Sequence, residues 1–210
     1  MADPANRRPL ASRDTGWARS LSRRLAATSV TPNQISMASM VAAAIGGASF
    51  WQVGRADGGA RAALLVAGAA FCQLRLLCNL FDGMVAIEAG KQRPDGAFWN
   101  EFPDRVADML ILVGAGYGAG APELGWAAAA FAVLTAYTRE LGRVCGLDAD
   151  FSGPMAKQHR MAVITVAALI AALWSASGHV IAIALLIIAI GGAATTLRRA
   201  VRIVSGLRRA

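Results

Sequence analysis

The sequence predicts an all-α, polytopic membrane protein with six transmembrane helices and an N-terminal interfacial amphipathic helix. Three observations predict it. The 210-residue chain is 56% hydrophobic, and its apolar residues gather in runs of membrane-spanning length separated by short polar or Gly/Pro breaks. Its net charge of +8 sits at the ends of those runs. That is the pattern of membrane topology and anionic-lipid contact, and it argues against nucleic acid as a partner.

The elements follow in order. Residues 1–30 read as a basic tail and then a short surface helix. From Thr15 to Ala27, Trp17, Leu21 and Leu25 recur four apart, with Arg19, Arg23 and Arg24 to the sides. This spacing predicts a helix lying in the membrane surface with Trp17 at headgroup level; the bland alternative is a solvated basic tail. Thr31-Pro32-Asn33-Gln34 is a helix start, with Thr31 as N-cap, Pro32 in the first helical position and Gln34 closing a capping box. The first span then runs over about Ile35–Val53 and the second over about Ala60–Phe81. A third is expected over Phe98–Gly118, a fourth over Trp126–Val144, a fifth over Met161–Ala176 and a sixth over His179–Thr196. Residues 31–197 thus form one membrane domain, and 198–210 a basic cytoplasmic tail holding Arg198, Arg199, Arg202, Arg208 and Arg209. Cys72, Cys78 and Cys145 have neither metal-ligand nor disulfide-framework spacing and read as small buried apolar residues.

Six spans place both termini on one side. Lys and Arg gather on that side, near the N-terminus, at 91–105, at 139–160 and in the tail, whereas the opposite loops hold Arg55 and Arg61. The positive-inside rule makes that side the cytoplasm. The expected location is the cytoplasmic membrane, among its lipids, with the polar site facing inward.

One stretch breaks the apolar pattern. Residues 75–108 carry Asn79, Asp82, Glu88, Asp95, Asn100, Glu101, Asp104 and Asp108 between apolar runs. An Asp at the centre of a membrane helix costs roughly 2.5–3.5 kcal/mol on insertion scales, so such residues point to a metal, a partner charge or a water-filled site. Asn79, Asp82 and Ala86 lie near one helical face, with Gly83 beside it. Gly96, Asn100 and Asp104 follow at intervals of four on a second helix. Two such stripes can converge as oxygen ligands around a hard divalent cation.

These residues resemble the signature of the CDP-alcohol phosphotransferases, D-x-x-D-G-x-x-A-R, about eight residues, then G-x-x-x-D-x-x-x-D. Here the string is Asn79-x-x-Asp82-Gly83-x-x-Ala86-Ile87, eight residues, Gly96-x-x-x-Asn100-x-x-x-Asp104. The spacing fits throughout, but two family Asp positions are Asn and the family Arg is Ile87. The rival register ending on Asp104 and Asp108 needs Gly at position 100, which is Asn.

The resemblance implies transfer of a substituted phosphate group from a CDP-linked donor, usually CDP-diacylglycerol, to an alcohol acceptor with release of CMP. It implies Mg²⁺ or Mn²⁺ as cofactor, held at the positions of Asn79, Asp82, Asn100 and Asp104, with Asp104 also the general base. It places Gly83, Ala86 and Gly96 along the cytidine pocket, and it implies a homodimer. Asn79 and Asn100 can offer carbonyl oxygens but no charge, which weakens metal binding and favours one tight metal over two. Glu101 or Asp108 is a candidate to compensate; Asp108 reads equally as a partner of Arg105 or Arg75. Arg75 itself either pairs with a site acid or flanks the span. Arg139, Arg143, Lys157 and Arg160 border the acceptor side, where a phosphate would favour them, or are positive-inside flanking charge. His159 and His179 read as packing and surface residues. Competing readings are a family-fold protein that binds lipid or nucleotide without turnover, motivated by the two Asn and Ile87, and a small channel. The channel is disfavoured because the charges gather at one end.

Overall fold

The computed structural model describes residues 15–88, 90, 94–174 and 179–209. The expected basic tail over 2–11 and the end of the fifth span at Ala176 lie outside them. Among the described residues there are seven α-helices, one 3-10 turn and no strand.

Helix α1 (Gly16–Ala26) precedes six longer helices: α2 (Pro32–Gln52), α3 (Gly58–Glu88), α4 (Gly96–Gly118), α5 (Pro122–Val144), α6 (Lys157–Leu173) and α7 (Val180–Leu207). Helix α3, over Gly58–Ile87, and α7 are each long and apolar enough to cross a membrane. At a rise of about 1.5 Å per residue, α7 is ~42 Å long, well beyond a ~30 Å hydrocarbon core.

The capping box at the start of α2 forms as the sequence predicts. The Thr31 hydroxyl accepts from the Gln34 amide at 3.2 Å, and the Gln34 side chain accepts from the Thr31 amide at 2.9 Å. Two boundaries differ from the sequence expectation. Helix α3 continues past Phe81 to Glu88, so the helical face expected for Asn79, Asp82 and Ala86 belongs to the same helix as the second span. Helix α7 runs through the expected tail to Leu207, because nothing between Thr196 and Leu207 breaks a helix and Leu197, Val201 and Val204 keep the apolar spacing.

The six long helices close into a ring: α2 packs on α3 and α4, α4 on α5, α5 on α7, α7 on α6, and α6 back on α3. Small residues let them approach. A Cβ at Gly114 would overlap the Gly47 backbone, and one at Gly118 the Phe50 carbonyl, so α2 and α4 approach closely at both places. The buried interior is rich in Ala, with Leu65, Ile111, Leu112, Ile164, Leu185 and Ile188 between. Large apolar side chains face outward instead, as at Val41, Ile183, Ile190 and Leu197, which leaves an apolar exterior. Cys72 is buried as expected, but Cys145 is exposed at the end of α5, where the chain leaves the bundle.

Helix α1 lies against α3. Ala18 and Ser22 are fully buried on that face, and the Trp17 ring meets Phe81 edge-on with centroids 6.1 Å apart. Trp17 and Leu21 remain about half exposed, so the outward apolar stripe is free to enter a lipid surface. One end of the bundle collects α1, the starts of α2, α4 and α6 and the ends of α3, α5 and α7.

Candidate functional site

The signature residues meet at that end. Asp82 is 7% exposed and Asp104 5% exposed, on α3 and α4 respectively. The Asn79 amide nitrogen donates to Asp104 Oδ1, which joins the two helices directly. Asn79 Oδ1 accepts from the Ser39 hydroxyl at 2.8 Å. Asp82 Oδ2 accepts from the Ser36 hydroxyl at 2.8 Å, and Asp82 Oδ1 from the Gly83 amide.

Ser36 and Ser39, both buried on α2, are the residues that sequence reasoning missed. Their signal was present: two hydroxyls three apart on one face of an otherwise apolar span. Asn33, at the start of α2, adds a latch, donating to Asp95 Oδ2 at 2.9 Å, which also accepts from Trp99 Nε1 at 3.1 Å.

Cations surround Asp104. The Lys157 ammonium donates to its Oδ2. Arg75 Nη2 lies 3.3 Å from Oδ1, and Arg105 Nη2 3.4 Å from Oδ2. The Arg75 side chain is fully buried, so of its two sequence readings the structure shows pairing with acids.

Asp108 has a different setting. It is fully buried and accepts at 2.7 Å from Arg75 Nη2 on α3 and at 2.7 Å from Arg160 Nη2 on α6. Arg160 Nη1 also donates to the Thr135 hydroxyl at 3.2 Å and the Met155 carbonyl at 3.1 Å. Arg160 is 2% exposed, so this set is a buried brace across α3, α4, α5 and α6, and not an open phosphate contact.

The remaining basic residues are partly engaged. Arg139 pairs with Glu101 on α4 and, at 2.9 Å, with Glu140, and its guanidinium lies over the Phe151 ring at 5.4 Å. Arg143 is exposed and bridges to Glu140 at 2.9 Å. Asn100 is exposed and turns toward Glu101 at 3.5 Å; among the described contacts none joins it to Asp82 or Asp104. Gly83, Ala86 and Gly96 are half-buried, and a Cβ at Gly96 would meet open space. His159 donates from Nδ1 to the Pro154 carbonyl, 2.9 Å away, and His179 is exposed.

The segment between α5 and α6 delivers Lys157. The Met155 amide donates to the Thr195 hydroxyl at 3.0 Å, and Arg199 donates to the carbonyls of Ser152 and Thr135. Gly153 has φ +126°, and a Cβ there would overlap Thr195. Asp150 accepts from the Ser152 amide at 2.8 Å and faces Arg202 at 3.3 Å. Partial burial works against the Asp150 charge, but the Ser152 and Arg202 interactions outweigh it and hold the carboxyl below its ordinary range.

The donor set can be tested against a divalent cation. No group of three or more His, Cys, Asp or Glu gathers in ligating geometry among the described residues. The carboxylates of Asp82 and Asp104 and the Asn79 side chain nevertheless supply hard oxygens from two facing helices. A cation, the Lys157 ammonium, already stands on Asp104 and within electrostatic reach of Asp82. The set fits one hard cation whose remaining ligands come from water or substrate, as Mg²⁺ sites with one or two carboxylates commonly do.

Known proteins resemble this chain in sequence and in fold. No family model matches the chain. It is 34% identical over 154 residues to the bifunctional IPC transferase and DIPP synthase of Rubrobacter xylanophilus, a match covering 69% of this chain and 32% of that protein's length. The fold superposes on phosphatidylinositol phosphate synthase of Mycobacterium tuberculosis. Against its CDP-DAG-bound crystal structure the TM-score is 0.74 at 17% identity, covering 89% of this chain and 92% of the other. Against its complex with manganese and citrate the TM-score is again 0.74 at 17% identity, covering 89% and 88%. The chain thus carries the fold of this synthase across nearly its whole length, while it spans about a third of the length of the relative from Rubrobacter xylanophilus.

Proposed function

We propose that this chain is an integral membrane CDP-alcohol phosphatidyltransferase. It takes the substituted phosphate group of a CDP-linked donor, CDP-diacylglycerol by preference, onto an alcohol hydroxyl and releases CMP. The observation that carries this reading is the contact of Asn79 on α3 with Asp104 on α4, beside the buried Asp82 carboxylate one turn further along α3. That site lies at one end of a helical ring whose exterior is apolar. The CDP-DAG bound by the Mycobacterium tuberculosis enzyme supports the donor, and its manganese complex supports a divalent metal.

When bound, the metal neutralises charge developing on the leaving CMP. Asp82 and Asp104 hold it, with Asn79 as a neutral donor. Ser39 serves Asn79 in either amide orientation, because a hydroxyl both donates and accepts. Asp104 takes the acceptor's proton at a carboxylate oxygen. Gly83, Ala86 and Gly96 leave room for cytidine. Arg139 and Arg143 border the acceptor side, where a phosphate exchanges for their present carboxylate partners, and Lys157 stands on Asp104 at the edge of that side. Six helices span the membrane, both termini and the site face the cytoplasm, and two copies pair as a homodimer.

A second reading keeps the fold without turnover. The engagement of Asp104 by Lys157, Arg75 and Arg105 favours it, because a carboxylate so held is a poor base. One experiment separates them. Purified protein is incubated with CDP-diacylglycerol, Mg²⁺ or Mn²⁺ and a panel of alcohols that includes glycerol 3-phosphate, an inositol phosphate and serine, and CMP is followed. Metal-dependent CMP release that requires one alcohol supports transfer; no CMP with any alcohol supports the binding-only reading.

A further inference from the structure

The charge balance at Asp104 is unusual for a cation site. Two of the four signature acids are neutral here, Asn79 and Asn100. Into the same small volume the fold brings three basic side chains that all contact Asp104, namely Lys157, Arg75 and Arg105. Arg75 and Arg160 are also bound to Asp108, so they belong to the buried brace. Arg105 is tied at its other end to Glu101, 3.6 Å away. Lys157 differs. Asp104 is its one acidic partner among the described ion pairs, and it reaches that partner from the first turn of α6, 53 residues along the chain. Its side chain is about a quarter exposed, so it lies on the open side of the site, whereas Arg75 lies behind it.

We propose that the Lys157 ammonium is a tethered substitute for one divalent cation, so that this site takes a single divalent ion where a four-Asp site has charge for two. The loss of acid at Asn79 and Asn100 and the presence of Lys157 are two sides of one arrangement. Fewer negative charges hold less metal, and a fixed ammonium supplies positive charge that needs no loading. Removing that ammonium takes from Asp104 Oδ2 its shortest contact and lowers the positive charge around the carboxylate by one, with Arg75 and Arg105 remaining. Both changes strengthen attraction for a metal ion within a few ångströms. A nucleotide diphosphate adds negative charge and oxygens on the same side, so the single ion binds more tightly with nucleotide present. That last point rests on the transferase reading; the competition between Lys157 and metal does not.

The test counts bound Mn²⁺ on the purified full chain in detergent, by the electron paramagnetic resonance signal of the free ion, with and without CDP. The wild type is expected to bind one Mn²⁺ per chain. Lys157→Met is expected to bind Mn²⁺ about tenfold more tightly, or to take a second ion. Lys157→Arg keeps the charge and is expected to behave as wild type. Adding Asp104→Asn to Lys157→Met is expected to cancel the gain. Should Lys157→Met fail to fold, Lys157→Gln replaces it.

Two Mn²⁺ in the wild type, equal affinity and number in wild type and Lys157→Met, or no binding by either overturns the proposal. CMP release from CDP-diacylglycerol is measured on the same preparations. The expected Mn²⁺ pattern without CMP sinks the transferase reading and leaves the tethered cation standing. CMP release with two bound Mn²⁺ does the reverse.

Discussion

Asp104 and Asp108 lie one helical turn apart, yet their surroundings give them different work. Asp104 touches cations on the open side of the site and the Asn79 amide of the facing helix. In the proposed transferase it is the acid that meets substrate. Replacing Asp104 by Asn is expected to remove nearly all CMP release even at saturating Mn²⁺, because an amide accepts no proton. Asp82→Asn is expected to lower rate and metal affinity together. Wild-type turnover by Asp104→Asn at high Mn²⁺ would exclude it as the base. Asp108 instead bridges two buried guanidiniums, Arg75 and Arg160, at 2.7 Å each. Asp108→Ala leaves both without their shared counter-charge, a change that costs about 3–5 kcal/mol in buried pairs. The measurement is thermal unfolding in detergent, where Asp108→Ala is expected to fall well below wild type; an unchanged midpoint would deny the brace.

At the scale of elements, the site depends on a loop and a start. The segment after α5 sets the position of Lys157, and Gly153 is its tightest point, with φ +126° and Thr195 against it. Any side chain there meets both strain and overlap. Gly153→Ala is expected to cost about 1–3 kcal/mol and to release the Met155–Thr195 bond. The check is hydrogen exchange at the Met155 amide, which should speed in the variant while exchange in α2 does not. Helix α2 is held at its start by the Thr31–Gln34 capping box, which keeps Ser36 and Ser39 in register with Asp82 and Asn79. Pro103, one residue before Asp104, cannot donate to the Trp99 carbonyl, so α4 is weakest in its own ladder at the turn that carries the site.

The whole molecule presents most of its charges at one end and an apolar belt around the ring. Native Cys145 is exposed at that end, and Ser205 is exposed on α7 near it. With the site facing the cytoplasm, a membrane-impermeant thiol reagent is expected to spare Cys145 in intact cells and to label it in inverted vesicles. A Cys introduced at Ser205 should follow the same pattern in a chain whose Cys145 is replaced by Ser. Labelling of either position from outside would reverse the topology and move the site to the other face.

Helix number and the order of elements were legible in the sequence because they follow from local runs, caps and breaks: the Thr31–Gln34 box and the Gly/Pro turns need no distant partner. So was the convergence of the two polar stripes, which the Asn79–Asp104 contact realises through spacing that a helix converts into a face. The roles of the basic residues were not legible. Arg160 and Lys157 stand three apart at the start of α6 and look alike in the sequence. Only packing sends Arg160 inward to Asp108 and Lys157 to Asp104 at the open edge. Charge alone marks an interface; which acid a cation meets is fixed by which helices touch, and that is a property of the closed ring.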